Sequence, residues 1–223
     1  MSGSLFCVAL PIGNSKDLSE RAREILASVD IIACEDTRKL KSFLARAALD
    51  SPARFLAYHS HNESASSRGI IDLLQQGQSA ALVTDAGTPL ISDPGISLVA
   101  ACRRQNIPVT PVPGASALTA LLSVSPLPVS PFLFLGFISP KKGRQQTLLT
   151  QYQEFQGAVV FFESVHRIGK LLRQIHSCWG EREIFIAREL TKQYEEFFWG
   201  NLTDAIAWAE NKRGEFCFIV RKE

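Results

Sequence analysis

Five short apolar runs in the first half of the chain restrict its fold more than any other feature. They span residues 5–10, 31–34, 54–58, 79–84 and 109–112, and each is closed by a polar or Gly/Pro cluster. Their length suits strands, and the intervals between them are long enough for helices. Asp17-x-x-Glu20 reads as a capping box for a helix with Leu18, Ala22, Ile25, Leu26 and Val29 on one face. A further helix is expected over residues 63–75, and another, opening at Pro94, carries Ile96, Val99 and Ala100. Strands that alternate with helices imply an α/β fold with a largely parallel, helix-covered sheet.

Residues 125–131, SPLPVSP, hold three prolines and suit an extended connection, since proline opposes a regular helix or central strand. We read them as a linker between an N-terminal domain (1–124) and a C-terminal one (132–223). Strand candidates in the latter are residues 132–135, 159–162, 184–187, 195–199 and 216–220. Two of them follow one another with no helix between, across residues 189–193. That favours a mixed sheet with antiparallel pairs.

Six clusters interrupt the apolar runs: Pro11-Ile-Gly-Asn14, Glu35-Asp-Thr-Arg38, His59-Ser-His-Asn-Glu63, residues 85–95, Pro113-Gly-Ala-Ser116 and Glu163-Ser-Val-His-Arg167. Any one of them could be a turn or a helix cap. Five at successive strand ends of one parallel sheet would share an edge and converge on a crevice. The richest, LVTDAGTPLISDPG at residues 82–95, is a strand ending in a carboxylate and a Gly/Pro loop. It matches neither the dinucleotide fingerprint nor the phosphate loop, so it points to a small-molecule site of another kind.

Other chemistries fit poorly. His59, His61 and Asn62 would need further ligands to hold a metal, and the chain has four histidines in all; no metal site is expected. Gly114-Ala-Ser116-Ala-Leu118 lacks the final glycine of a nucleophile elbow. The five cysteines are scattered, with no C-x-x-C pair, and read as reduced thiols. A net charge of +2 gives no general nucleic-acid signal, so any basic surface must be local. Arg38-Lys39-x-Lys41 and Lys141-Lys142-Gly-Arg144 are the two local candidates for a phosphate-backbone groove. No apolar run approaches the ~20 residues of a membrane span, and no signal segment is evident, so a cytoplasmic location is expected.

Taken in order, eight blocks resemble the ribosomal RNA small-subunit methyltransferase I family of the tetrapyrrole-methylase superfamily. They are LPIGN (10–14), ACEDTR (33–38), YHSHNE (58–63), LVTDAGTPLISDPG (82–95), VPGASAL (112–118), FLFLGFISPKKGR (132–144), VFFESVHR (160–167) and ARELTK (187–192). The resemblance spans essentially the whole chain. It implies two α/β domains, S-adenosylmethionine in the cleft between them, and usually a homodimer. The implied reaction is methylation of a cytidine 2′-hydroxyl in 16S rRNA of the small ribosomal subunit. Implied cofactor contacts are Pro11, Ile12, Asp85, Gly87, Thr88, Ser116 and Ala117, completed by Phe162, Ala187 and Phe216.

A ribose hydroxyl is a poor nucleophile and needs its proton accepted or its oxyanion stabilised. Asp36, Glu63 and Glu163 are candidates for base or orienting acceptor, with Arg38, His61 and Asn62 for ribose or phosphate, and Glu189 and Lys192 as further cleft residues. The sequence does not select among them. Leu10 stands where the family usually has Thr, Ala115 where it has Pro, and Val165 where it often has Pro. Many members continue past the last strand into a small helical region that helps bind RNA. This sequence ends at Glu223, which bears on RNA affinity and target choice and leaves the catalytic reading intact. The alternatives are a methyltransferase acting on a tetrapyrrole-like small molecule, against which ACEDTR, YHSHNE and SPKKGR argue, and an inactive cofactor- or RNA-binding relative.

Overall fold

The first-half apolar runs become β1 (Leu5–Val8), β2 (Ile31–Cys34), β3 (Arg54–Ala57), β4 (Ala80–Leu82) and β5 (Val109–Val112). They form one sheet in the order β3-β2-β4-β1-β5, parallel throughout. The computed structural model describes residues 3–60 and 62–222, and the chain divides into a unit ending at Ser116 and another beginning at Ala117. In the first unit, α1 (Glu20–Ser28), α2 (Thr37–Arg46), α3 (Glu63–Gln75) and α4 (Ile96–Arg104) connect the strands.

Alternation along the strands decides which helix covers which face. Ile32 and Ala81 join Ala22 and Leu26 of α1 and Leu40 and Leu44 of α2 in one core. Their neighbours Ile31, Ala33, Ala80 and Leu82 join Ile70 and Leu74 of α3 and Leu98 and Cys102 of α4 on the opposite face. Burial on both faces explains why β2 and β4 read as unbroken apolar runs.

Helix α1 begins two residues later than the proposed capping box. Asn14 Oδ1 accepts from Lys16 N at 3.1 Å and caps a short 3-10 turn over Ser15–Asp17. Asp17 therefore belongs to that turn, and Ser19 Oγ caps α1 by accepting from Ala22 N at 3.2 Å. The last helix of this unit, α4, opens at Ile96 with Gly95 as its cap residue, after Pro94.

The second unit holds α5 (Ala117–Ser123), β6 (Phe132–Phe137), α6 (Lys142–Tyr152), β7 (Ala158–Ser164), α7 (Ile168–Trp179), β8 (Glu183–Arg188), β9 (Glu196–Asn201), α8 (Leu202–Ala209) and β10 (Glu215–Arg221). Its sheet runs β6-β7-β10-β8-β9, with β6 parallel to β7 and the remaining pairs antiparallel, the mixed sheet expected. Phe161, Phe216 and Phe218 pack with Leu172 and Ile175 of α7 and Ala205 of α8. The division at Ser116 falls ahead of residues 125–131. α5 packs on β10, and Arg221 Nη1 donates to Pro128 O at 2.7 Å, so the proline-rich stretch is anchored to the second unit. No helix among the described residues is long and apolar enough to cross a membrane.

Candidate active site at the strand ends

All five strands of the first sheet end on one edge, so the clusters after them share that edge. From β1 the chain passes through α1 to β2, and from β4 it passes through α4 to β5 on the other side of β1. The loops after the adjacent strands β1 and β4 thus leave toward opposite faces. This is the switch point at which open α/β sheets bind ligands.

The two loops are clamped together there. Leu10 N donates to Gly87 O at 2.9 Å and Gly87 N to Leu10 O at 3.0 Å. Thr88 Oγ1 donates to Ala115 O at 3.1 Å, adding the loop after β5. Gly87 has φ +80, a conformation that favours glycine, and a Cβ on it would crowd Ile12 Cγ2 at 3.3 Å. Pro11 is buried beside this bridge, Ile12 and Thr88 are half-buried, and Asp85 is exposed. Pro11, Ile12, Asp85, Gly87 and Thr88 are therefore brought together as expected. Ser116 closes the segment after β5, and Ala117 opens α5; both are half-buried.

Leu90 and Ser92 in the same loop have φ +71, a left-handed conformation. Such residues cost on the order of 1–3 kcal/mol each and cluster at functional sites. Gly95 (φ +138) ends the loop and contributes no side-chain cap to α4.

The structure gives most of the predicted polar residues a partner. Asp36 caps α2, its Oδ1 accepting from Arg38 N at 2.8 Å, and Arg38 Nη2 reaches its Oδ2 at 3.0 Å. The Arg38 side chain and backbone N–H hold the Asp36 carboxyl down at about 2, which makes it a feeble base near neutral pH. Lys39 Nζ pairs with Asp85 Oδ2 at 2.5 Å, and Asp85 N donates to Glu35 Oε1 at 3.2 Å. The basic stretch at residues 38–41, a candidate for a phosphate-backbone groove, is thus partly neutralised by Asp36 and Asp85. Asn62 is folded into the turn after β3, donating to Ala57 O at 2.9 Å and accepting from His59 N at 2.8 Å. His61 lies outside the described residues.

Glu63 Oε1 accepts from Ser97 N at 3.0 Å, Gly95 N at 3.2 Å and Tyr58 Oη at 3.1 Å. It serves α4 as the cap that Gly95 lacks. Burial raises its carboxyl, but the Ser97 and Gly95 N–H groups outweigh that and leave it below the ordinary carboxylate range. Glu163, 1% exposed, receives Arg167 Nε at 2.7 Å and Nη2 at 2.8 Å, and Ser164 N at 2.7 Å. A carboxylate so bound is a structural anchor and not a free base.

In the second unit, Phe162, Cys217 and Ala187 lie in one cross-strand row and so present one face. Phe216 is one residue off that row and its side chain belongs to the helix-covered core with Phe161 and Phe218. Its side chain therefore cannot share a ligand surface with Phe162 and Ala187. Glu189 Oε1 accepts from Lys192 Nζ at 3.2 Å and from Glu215 N at 2.8 Å, while Lys192 also reaches Glu215 Oε2 at 2.6 Å. Glu189 (φ +52) and Thr191 (φ +64) make this turn a second strained segment.

Sequence reasoning passed over Asp93. It is half-buried in the loop after β4. Burial, then the charges of Glu35 and Asp85, push its carboxyl up to about 7. The signal in the sequence was an acid inside a Gly/Pro loop rather than at its end.

Comparison with known proteins gives a consistent picture. The family model described as Tetrapyrrole (Corrin/Porphyrin) Methylases matches residues 4–206. The chain is 46% identical to the Ribosomal RNA small subunit methyltransferase I of Xylella fastidiosa, over 98% of this chain and 81% of that protein. It is 42% identical to the protein of that name from Thermotoga maritima, over 98% of both, and 41% identical to that from Leptospira biflexa, over 98% of this chain and 90% of that protein. Among solved structures, diphthine synthase superposes with a TM-score of 0.74 at 14% identity, over 99% of this chain and 90% of that one. Uroporphyrin-III C-methyl transferase from Thermus thermophilus, complexed with S-adenyl homocysteine, gives 0.69 at 16% identity, over 99% and 98%.

Proposed function

The chain belongs to the tetrapyrrole methylase family and, within it, to the ribosomal RNA small subunit methyltransferase I group, and from that membership we propose that it methylates the 2′-hydroxyl of a cytidine in 16S rRNA. The observation that carries the substrate is the contrast in identity. It is 41–46% to proteins named as ribosomal RNA methyltransferases and 16% to the porphyrin methylase of the same fold. We read the protein as cytoplasmic and homodimeric on the same ground.

The strand-end residues suit S-adenosylmethionine, a cation-bearing donor. Glu35, Asp85 and Asp93 put three carboxylates near one another, with Lys39 as the cation paired to Asp85. The left-handed Gly87 leaves beside Ile12 a space that a Cβ would enter. In this reading Asp85 accepts a hydrogen bond from an amino or hydroxyl group, Thr88 holds the loop, and Pro11 and Ile12 form the apolar wall. The cofactor supplies a methyl group already activated on sulfur, so alignment by the clamped loops provides much of the acceleration.

Lys141, Lys142 and Arg144 stand exposed at the start of α6. Cations there oppose the helix dipole and cost helix stability unless an anion is nearby. That arrangement fits a phosphate backbone better than a solvated surface. Arg38 and Lys41 are the corresponding residues of the first unit, with Lys41 over the Phe55 ring at 5.6 Å.

The deciding experiment incubates the chain with labelled S-adenosylmethionine and isolated small subunits, then maps 2′-O-methylation. Label in a cytidine ribose is the expected result. Tight cofactor binding without label in RNA would refute the assignment.

A further inference from the structure

We propose that the N-terminus of α6 seats one backbone phosphate of the RNA and that the Gln145 amide completes the seat, an inference that rests on the RNA-methylating reading above. α6 opens at Lys142 with Lys141 as its cap residue, and no side chain caps it. By contrast, Ser19, Asp36 and Asn201 cap α1, α2 and α8, and Glu63 serves α4. Gln145 N is the first to bond back, to Lys141 O at 3.0 Å, and Ser139 Oγ takes Lys141 N at 3.3 Å. The N–H groups of Lys142, Gly143 and Arg144 are left without an acceptor among the described residues. The first turn also holds no acid, so donors and dipole together favour an anion there.

Gln145 points to a ligand independently of the helix end. It is 4% exposed and lies on the inward stripe of α6 with Leu149, yet its amide has no hydrogen-bond partner among the described residues. A buried amide normally has one, because leaving it unpaired forfeits its hydration without return. Helical side chains lean toward the helix N-terminus, over the turn that precedes their own Cα. Gln145 therefore reaches toward residues 141 and 142 and the open N–H groups. Gly143 fits the same arrangement. A Cβ on it would meet no atom within 4 Å, and its φ is not left-handed, so alanine, a better helix former, would be accommodated. Glycine instead leaves the backbone N–H open to close approach.

A phosphodiester presents a pair of non-bridging oxygens that share a negative charge. These oxygens accept from the Gly143 and Arg144 N–H groups and from Gln145 Nε2, while the exposed Lys141, Lys142 and Arg144 side chains supply charge from the rim. The roles of the two kinds of residue differ. Each cation neutralises phosphate and releases counterions, whereas the neutral glutamine adds a directed hydrogen bond and releases none.

The test compares the full chain with its Gln145→Leu and Lys142→Ala variants, with affinity for isolated small subunits measured across a range of salt. Gln145→Leu should weaken binding by about tenfold, the loss of a hydrogen bond to a charged group, with the salt dependence unchanged. Lys142→Ala should lower the salt slope by about 0.7. Because leucine replaces an unpartnered buried amide, Gln145→Leu should also melt about 2–4 °C above wild type, whereas loss of a structural glutamine would lower the melting temperature. NMR titration of the wild type needs no variant. The backbone N–H signals of Lys142, Gly143 and Arg144 and the Gln145 side-chain amide should shift together on adding a short oligoribonucleotide, and less with inorganic phosphate at the same concentration. Three results overturn the seat while methylation by the wild type keeps the functional reading: wild-type RNA affinity in Gln145→Leu, a lowered melting temperature in that variant, or amide signals that answer to inorganic phosphate and not to the oligoribonucleotide. A wild type that binds cofactor but labels no RNA overturns the functional reading and, with it, the RNA as owner of the phosphate.

Discussion

Replacing Glu63 offers a direct measure of how the ligand loop is held. Its carboxylate is the side-chain cap of α4, because Gly95 contributes none, and it accepts Ser97 N at 3.0 Å and Gly95 N at 3.2 Å. Loss of a cap costs about 0.5–2 kcal/mol, and loss of a negative charge at a helix N-terminus about 0.3–1 kcal/mol more. Tyr58 loses one partner but keeps Ser67 Oγ at 3.0 Å, so it adds little. Glu63→Ala should therefore cost about 2 kcal/mol, and Glu63→Gln, which retains an acceptor oxygen, about half that. For a chain of this size the alanine variant should melt about 4–8 °C lower, read by circular dichroism. The pH dependence has a definite sign. The folded carboxyl lies below its ordinary 4.5, so its stabilisation is complete above that value and fades as pH falls through the lower folded one. The gap between wild type and Glu63→Gln should accordingly close in acid. A melting temperature for Glu63→Ala within about 1 °C of wild type, or a gap unchanged between neutral pH and acid, would refute the capping argument.

Gly87→Ala places a Cβ 3.3 Å from Ile12 Cγ2 at φ +80; the strain should reach about 1–2 kcal/mol and weaken cofactor binding in calorimetry by about tenfold or more. Lys142→Ala with Arg144→Ala should weaken RNA binding and flatten its salt dependence by about 0.7 per lost phosphate contact, with cofactor affinity unchanged. Arg167→Met leaves the buried Glu163 charge unpaired and should destabilise the second unit by about 3–5 kcal/mol in urea denaturation, whereas the double variant Glu163→Leu, Arg167→Met should recover most of that loss. A single variant as stable as wild type would mean that the pair is not anchoring the chain.

The parallel sheet was legible because burial on both faces leaves β2 as an unbroken apolar run and puts a polar cluster at every strand end. The convergence of Pro11, Asp85, Gly87 and Thr88 follows from that topology alone. Side-chain partnership was not legible. Lys39 and Asp85 stand 46 residues apart in sequence, and only folding makes them a pair. Phe216 shows the cost of a single step along a strand, since it falls on the opposite face from its neighbour Cys217. Asp17 looked like a cap by spacing, but Asn14 had already started a turn that takes it in. Asp93 is one acid within the cluster at residues 85–95, and its setting appears only once folding brings Glu35 and Asp85 near it.

The reciprocal backbone bonds between Leu10 and Gly87 make two loops, far apart in sequence, a single inheritable part. A loop exchanged from a relative after β1 alone would have to find its two hydrogen-bond partners in a foreign loop after β4, and the same holds in reverse. Grafting substrate preferences between members of this fold should succeed when both loops travel together, and fail by loss of the bridge when either travels alone.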